Sequence, residues 1–333
     1  MVTSWPRRQT VGGFPLAEIR FDVHPQGMYR HILLPYDGSA HSARAIPIAS
    51  ALAKRSGATV ALALVHDPSA FIPFVPGEVA IPVYDQAMMQ SRLDDDRRLL
   101  HAAVERLTSD GVSATGVLLE GTIVEALEEH ILSSAVDLVI MTTHGRSGFE
   151  RLRLGSVATA FLSRATTPVL LVRNVGSEAT EDAAAALPAG TLLCPLDGSP
   201  FAEAMLPHAR TFAEVAGMTM KLVAVTVPHS IPMAPFGAEA LLADDSALVA
   251  EESGREQYLT RMAATCPPGT QTVALTDMSV ARALLDVASS PVVGAIAMAT
   301  HGRGGFKRFM LGSVTDEVIR HAHVPMLVYR PPS

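Results

Sequence analysis

"MTTHGRSGFERLRLGSV", Met141–Val157, and "MATHGRGGFKRFMLGSV", Met298–Val314, are nearly one sentence written twice. The first leaves the apolar run "DLVIMTT", crosses a glycine-rich cationic stretch, and enters "SVATAFLSRA", which has helical spacing. Glycines and cations do not fill a core. A strand, a glycine loop and a helix start are the units that place backbone N–H groups against an anion.

The duplication extends well beyond these stretches. "HILLPYDGSAHSARAIPIASALAKRSGATVALALV", His31–Val65, aligns without gaps to "TLLCPLDGSPFAEAMLPHARTFAEVAGMTMKLVAV", Thr191–Val225. "TTPVLLVR", Thr166–Arg173, is matched by "HVPMLVYR", His323–Arg330. The chain therefore divides into a first domain, 28–175, and a second, 188–331, joined by an Ala-, Gly- and acid-rich linker, 176–187. Residues 1–27 belong to neither copy and read as an N-terminal extension, with disorder as one reading. Within the first copy, short Val/Ile/Leu runs alternate with helical spacing five times over, ending at "PVLLVR". That pattern predicts an α/β fold with a parallel sheet covered on both faces, twice in tandem.

Composition narrows the function. A chain of 333 residues with formal charge −7 and pI near 5.9 is no general nucleic-acid binder. No apolar run reaches membrane-spanning length, and residues 1–27 lack a signal-type apolar core, so the expected location is cytoplasmic. The two cysteines, Cys194 and Cys266, are expected to be unpaired.

In open α/β sheets ligands bind beyond the carboxyl ends of the strands. The first strand ends in Asp37-Gly38-Ser39, and its copy in Asp197-Gly198-Ser199. Each aspartate can order a turn, or accept hydrogen bonds from a base amine or ribose hydroxyls. The fourth strand leads into His144-Gly145-Arg146-Ser147-Gly148, then Gly155-Ser156 opens the next helix. The second copy has His301, Gly302, Arg303 and Gly305, then Gly312-Ser313. Ser156 can cap its helix or donate to a phosphate, and the loop cations suit phosphate oxygens. A plain glycine loop with solvated cations stays open on residues alone. There is no G-x-x-x-x-G-K-[ST], and no G-x-G-x-x-G after the first strand. Asp94-Asp95-Asp96 reads as a solvated helix face answered by Arg97 and Arg98. Neither a catalytic base nor a metal cluster is evident.

At these residues the sequence resembles the universal stress protein family, over nearly all of both copies. The resemblance implies two doubly wound domains of the adenine nucleotide alpha hydrolase-like type, each a five-stranded parallel sheet of order 3-2-1-4-5. It implies ATP binding, with or without Mg²⁺, through G-x2-G-x9-G-[ST]. Gly145 and Gly302 match the second glycine of that pattern, and Gly155-Ser156 and Gly312-Ser313 match its end. Asp37 and Asp197 match the adenosine-contacting aspartate, Val65 and Val225 the adenine-contacting position. His144, Arg146, Gly148, His301, Arg303 and Gly305 fall in the same loops. The first glycine is replaced by Thr142 in one copy and Ala299 in the other. Gly121, before the helix that follows the third strand, aligns with Met278, so the first domain is expected to be the better nucleotide site. The implied function is an ATP-binding stress-response regulator, at most a slow ATPase; the alternative is a nucleotide-free scaffold working through protein association. The last strands, "VLLVR" and "MLVYR", would pair as an internal pseudo-dimer, and a homodimer is a further expected partner.

Overall fold

The computed structural model describes residues 29–67, 86–143, 154–173, 187, 189–228, 245–300 and 311–332. The first half runs β1 (His31–Pro35), α1 (Ala40–Ala43), α2 (Ile46–Ser56), β2 (Thr59–His66), α3 (Gln86–Ser109), β3 (Ala114–Glu120), α4 (Ile123–Ser133), β4 (Leu138–Thr142), α5 (Ser156–Leu162) and β5 (Val169–Val172). The second repeats it: β6 (Thr191–Pro195), α6 (Pro200–Glu203), α7 (Leu206–Ala216), β7 (Thr219–Thr226), α8 (Asp245–Ala263), β8 (Gln271–Thr276), α9 (Val280–Ala288), β9 (Val293–Ala299), α10 (Ser313–His321) and β10 (Met326–Tyr329).

The stretch after the Asp-Gly-Ser turn is two helices rather than the single one its spacing predicts. Pro47 sits in the first turn of α2, and Pro207 in that of α7. Proline has no N–H to continue a preceding helix, but it suits the start of a new one. α2 and α7 then end on Gly57 and Gly217, at φ 73° and 67°, where the left-handed conformation favours glycine.

All described strands join one sheet, in the order β3-β2-β1-β4-β5-β10-β9-β6-β7-β8. Each half is therefore parallel and ordered 3-2-1-4-5, as the alternation and the resemblance imply. The halves meet along β5 and β10, which pair antiparallel with Leu170 opposite Leu327. Antiparallel pairing turns the second half end over end. The carboxyl edge of one half thus lies beside the amino edge of the other.

Two cores cover the two faces of the sheet, and both run across the seam. One holds α2, α3, α7 and α8 through residues such as Leu52, Leu107, Phe212 and Leu259. The other holds α4, α5, α9 and α10 through Leu127, Phe161, Leu284 and Val318. Two arginines tie the halves at helix ends. Arg55 Nη1 donates to Ala216 O at 2.6 Å, at the end of α7. Arg173 donates to Arg320 O at 2.5 Å and to Ala322 O, at the end of α10. A cation there satisfies leftover carbonyls and complements the helix dipole.

His208 of α7 stacks on Tyr329 of β10, with ring centroids 4.1 Å apart. Burial pushes its imidazole down from the ordinary 6.5 to about 4. The folded chain thus keeps this ring neutral where the unfolded chain protonates it. The stability it supports is complete above about pH 6.5, declines as pH falls, and levels off below about 4. The span corresponds to ~3 kcal/mol. Urea midpoints across that range should fall for the native chain, and His208→Phe should flatten the fall. An unchanged slope would place the titrating group elsewhere.

Candidate functional site

Asp37 follows β1, and its carboxylate works first on its own turn. Oδ1 accepts from Ser39 N–H at 2.9 Å and from the Ser42 hydroxyl at 2.5 Å. Ser39 Oγ accepts from Ser42 N–H at 3.1 Å and so caps α1. Asp197 Oδ1 accepts from Ser199 N–H at 2.9 Å and its hydroxyl at 2.6 Å, and Ser199 caps α6. The glycine between them has φ 78° in the first copy and 81° in the second. Ordering a turn and facing a ligand are not exclusive here, because Asp37 also lines a cavity of ≈ 380 Å³.

That cavity lies beyond the carboxyl ends of β1, β2 and β4, with α4 and α5 as its far wall. β1 stops at Pro35, opposite Ala63, whereas β2 continues to His66. The backbone at Val65 therefore stands past the end of its neighbour, on the cavity wall. At the other end, Gly155 N–H donates to Thr143 O at 2.7 Å, and Thr143 N–H donates to Val172 O at 3.2 Å. These bonds join Gly155, Thr143 and the end of β5. The second half repeats them: Gly312 N–H to Thr300 O at 2.8 Å, and Thr300 N–H to Tyr329 O at 2.9 Å.

Of the site residues read from sequence, Asp37, Val65, Gly155 and Ser156 line this one cavity. Asp197, Val225, Gly312 and Ser313 hold the matching places after β6, in β7 and before α10. His144, Gly145, Arg146, Gly148, His301, Gly302, Arg303 and Gly305 lie outside the described residues. Ser156 is no cap. Gly155 and Gly312 occupy the cap positions and make no side-chain cap bond, so the exposed Ser156 and Ser313 are each the first residue of their helix. Thr142 and Ala299 are buried at the last positions of β4 and β9, where the sheet accommodates a Cβ.

Gly121 is not on the wall. It has φ 122° and donates N–H to His66 O at 3.2 Å. The matching bond in the second half is Asp277 N–H to Thr226 O, at 3.0 Å. Asp277, not Met278, thus occupies the place of Gly121, and Met278 is one extra residue, 63% exposed. The alignment of Gly121 with Met278 is therefore off by one residue. Asp277 is held by Ser279 N–H at 2.8 Å and by the Arg282 guanidinium at 2.7 and 3.0 Å. These contacts keep its carboxyl below the usual range.

The acidic run on α3 divides. Asp94 pairs with Arg97 at 3.0 Å and Asp95 with Arg98. Asp96 turns to the cavity, where its Oδ2 is 3.0 Å from Nδ1 of the buried His66. Helical spacing contains the signal: Asp96, Leu100, Ala103 and Leu107 share one stripe, and the last three are buried. His66 and Asp96 are the site residues that sequence reading missed.

A model of the universal stress protein family matches residues 28–173 and again 189–330. A universal stress protein of Mycolicibacterium smegmatis is 28% identical over 319 residues, spanning 90% of this chain and 97% of that one. One from Thermus aquaticus is 33% identical over 152 residues, 44% of this chain and the whole of that relative. The crystal structure of a universal stress protein from Archaeoglobus fulgidus shares the fold, with TM-score 0.62 at 17% identity, covering 91% of this chain and 98% of that one.

The turn itself can be tested. A methyl on Gly38 would meet Leu99 Cδ1 at 2.9 Å at φ +78°, whereas one on Gly57, at φ +73°, meets nothing within 4 Å. Gly57→Ala should cost ~1 kcal/mol of backbone strain, and Gly38→Ala more. Urea unfolding measures both; equal costs would show that Leu99 yields freely.

Proposed function

The chain belongs to the universal stress protein family, and we propose that it is an ATP-binding member acting as a regulator, with little or no hydrolysis. The observation that carries this reading is the convergence of Asp37, Val65, Gly155 and Ser156 on one cavity of ≈ 380 Å³. That volume lies within the range of small-molecule sites.

Each part of a nucleotide has a complementary wall. An adenine edge offers a donor beside an acceptor, and an exposed strand edge offers the same pair; β2 past Pro35 is such an edge. Ala63, Leu127 and Met141 supply apolar surface for the base. Asp37 can accept from ribose hydroxyls. At the phosphate end the N–H of Gly155 is already committed to Thr143 O. The remaining donors are the Ser156 hydroxyl and the first N–H groups of α5, which have no carbonyl four residues back within the helix. Arg146, Arg151 and Arg153 follow the same strand in sequence and add charge.

Slow turnover is part of the proposal for a geometric reason. The ionisable side chains on the described wall are Tyr36, Asp37, His66, Asp67 and Asp96, all on β2 or α3 or just after β1 or β2. They belong to β2, to α3 or to the turns after β1 and β2, which would face the nucleoside, whereas Gly155 follows β4 and opens α5, where a terminal phosphate would lie. Mg²⁺ would then serve the phosphates' charge rather than a base-catalysed attack. No helix among the described residues is long and apolar enough to cross a membrane. Both cysteines are unbridged, which suits the cytoplasm we propose. Because β5 and β10 occupy one another, a homodimer would have to use another face.

Calorimetric titration with ATP and ADP, with and without Mg²⁺, tests the reading. Asp37→Ala should weaken binding about tenfold or more, since it removes a charged hydrogen-bond acceptor, and Gly155→Glu should abolish binding in the first domain. A native chain that takes up no adenine nucleotide at millimolar concentration, and releases none on denaturation, would leave the scaffold reading in its place.

A further inference from the structure

We propose that Arg173 and α10 couple the two clefts, so that loading the first changes the second. The inference rests on the nucleotide reading above and concerns how that site is regulated.

The path begins at the base of the first cleft. Thr143 lines the cavity, accepts from Gly155 N–H at 2.7 Å and donates to Val172 O at 3.2 Å. The phosphate end of the cleft is therefore hydrogen-bonded to the last residue of β5. The next residue is Arg173. Its guanidinium reaches across the seam to Arg320 O, at 2.5 Å, and to Ala322 O. Both carbonyls belong to the last turn of α10 or the residue just after it.

α10 has nine residues and so spans ~13 Å. Thr315, Val318 and Ile319 are buried beneath it at 4%, 0% and 2% exposure, so it can move only as a packed body. Its other end is the Gly312-Ser313 start that matches Gly155-Ser156. Gly312 N–H donates to Thr300 O at 2.8 Å, and Thr315 Oγ1 donates to Ala299 O at 3.0 Å. One helix therefore carries the Gly-Ser start of the second site at one end and the grip of Arg173 at the other. The antiparallel seam forces this arrangement, since it places the carboxyl edge of the first half against the amino edge of the second.

Arg330 follows β10 as Arg173 follows β5, and it lines a groove of ≈ 370 Å³ with Arg164, Ala165, Thr166 and Thr167, at the far end of α5. Coupling between binding sites is reciprocal by thermodynamic necessity. The grip of Arg173 on the end of α10 is a structural basis for it. A nucleotide that draws Thr143 and Gly155 toward its phosphates shifts the end of β5. Arg173 moves with that end, and α10 takes up the displacement at the second Gly-Ser.

The test uses the full chain with only the first site able to load, through Gly312→Glu. Saturating ATP should slow hydrogen exchange of the backbone amides at 318–322 several-fold. Adding Arg173→Gln should remove that protection while ATP affinity at the first site stays within about twofold. If that variant folds poorly, Arg173→Lys, which retains a donor, should give intermediate protection. In a chain whose second site is intact, the ratio of second-site affinities with and without Gly155→Glu should be about fivefold or more and should collapse toward one in Arg173→Gln. ATP binding with no change at 318–322, or a change that survives Arg173→Gln, would overturn the coupling and leave the nucleotide reading standing. No ATP binding by the native chain would overturn the nucleotide reading, and the coupling with it.

Discussion

Two four-residue strands, β5 and β10, decide the shape of this molecule. All eight of their residues are buried. A strand packed on both faces by helices still carries N–H and C=O groups along its outer edge. Left unpaired in a dry setting, those groups are costly and invite wrong partners. Here each edge is satisfied by the other. The pairing makes one ten-stranded sheet from two copies and lets both cores run uninterrupted across the middle. It also turns the carboxyl edges of the two halves to opposite sides and brings the arginines of one half to the helix ends of the other.

Within each half the crevice follows from the winding. The chain leaves β1 for α1 and α2 on one face, and leaves β4 for α5 on the other. Neighbouring strands whose continuations diverge leave a space above their ends. The Asp-Gly-Ser turn and the Gly-Ser helix start border that space because they are the first residues past the divergence and its return. Asp37 shows how little the site asks beyond the fold. One carboxylate oxygen orders the turn, and the residue still faces the cavity.

Much of this was legible in the sequence, and the limits have physical causes. The duplication exposed the domain plan, because strands buried on both faces read as plain apolar runs and the turns between them need particular residues. Strand order came from the family resemblance, since periodicity does not say which strands pair. The split between α1 and α2 was readable from Pro47 and Pro207 but was overridden by unbroken helical spacing. Asp96 was misread because a run of like charges suggests one solvated face, while a helix turns 100° per residue and sends the third aspartate inward. The displaced corner at Asp277 and Met278 could not be read at all. One residue added between a strand and a helix leaves both periods intact, and only the ladder bond to Thr226 O reveals it.

The copies differ most at the rim beyond the second and third strands of each half, and least where the fourth strand meets the glycine-led helix start. The bonds from Thr143 and Gly155 recur atom for atom at Thr300 and Gly312. His66 with Asp96 gives way to Thr226, and Gly121 gives way to Asp277 locked to Arg282. The first set of bonds closes the ends of central strands, so a change there disturbs the sheet itself. The rim sits beyond β2 and β3, at the outer end of the sheet, where side chains change without unpairing a strand. Divergence between the domains is thus channelled by the architecture. A duplicated fold of this kind can alter its rim far more readily than its Thr-Gly frame, because only that frame is bonded to the strands of the seam that holds the molecule together.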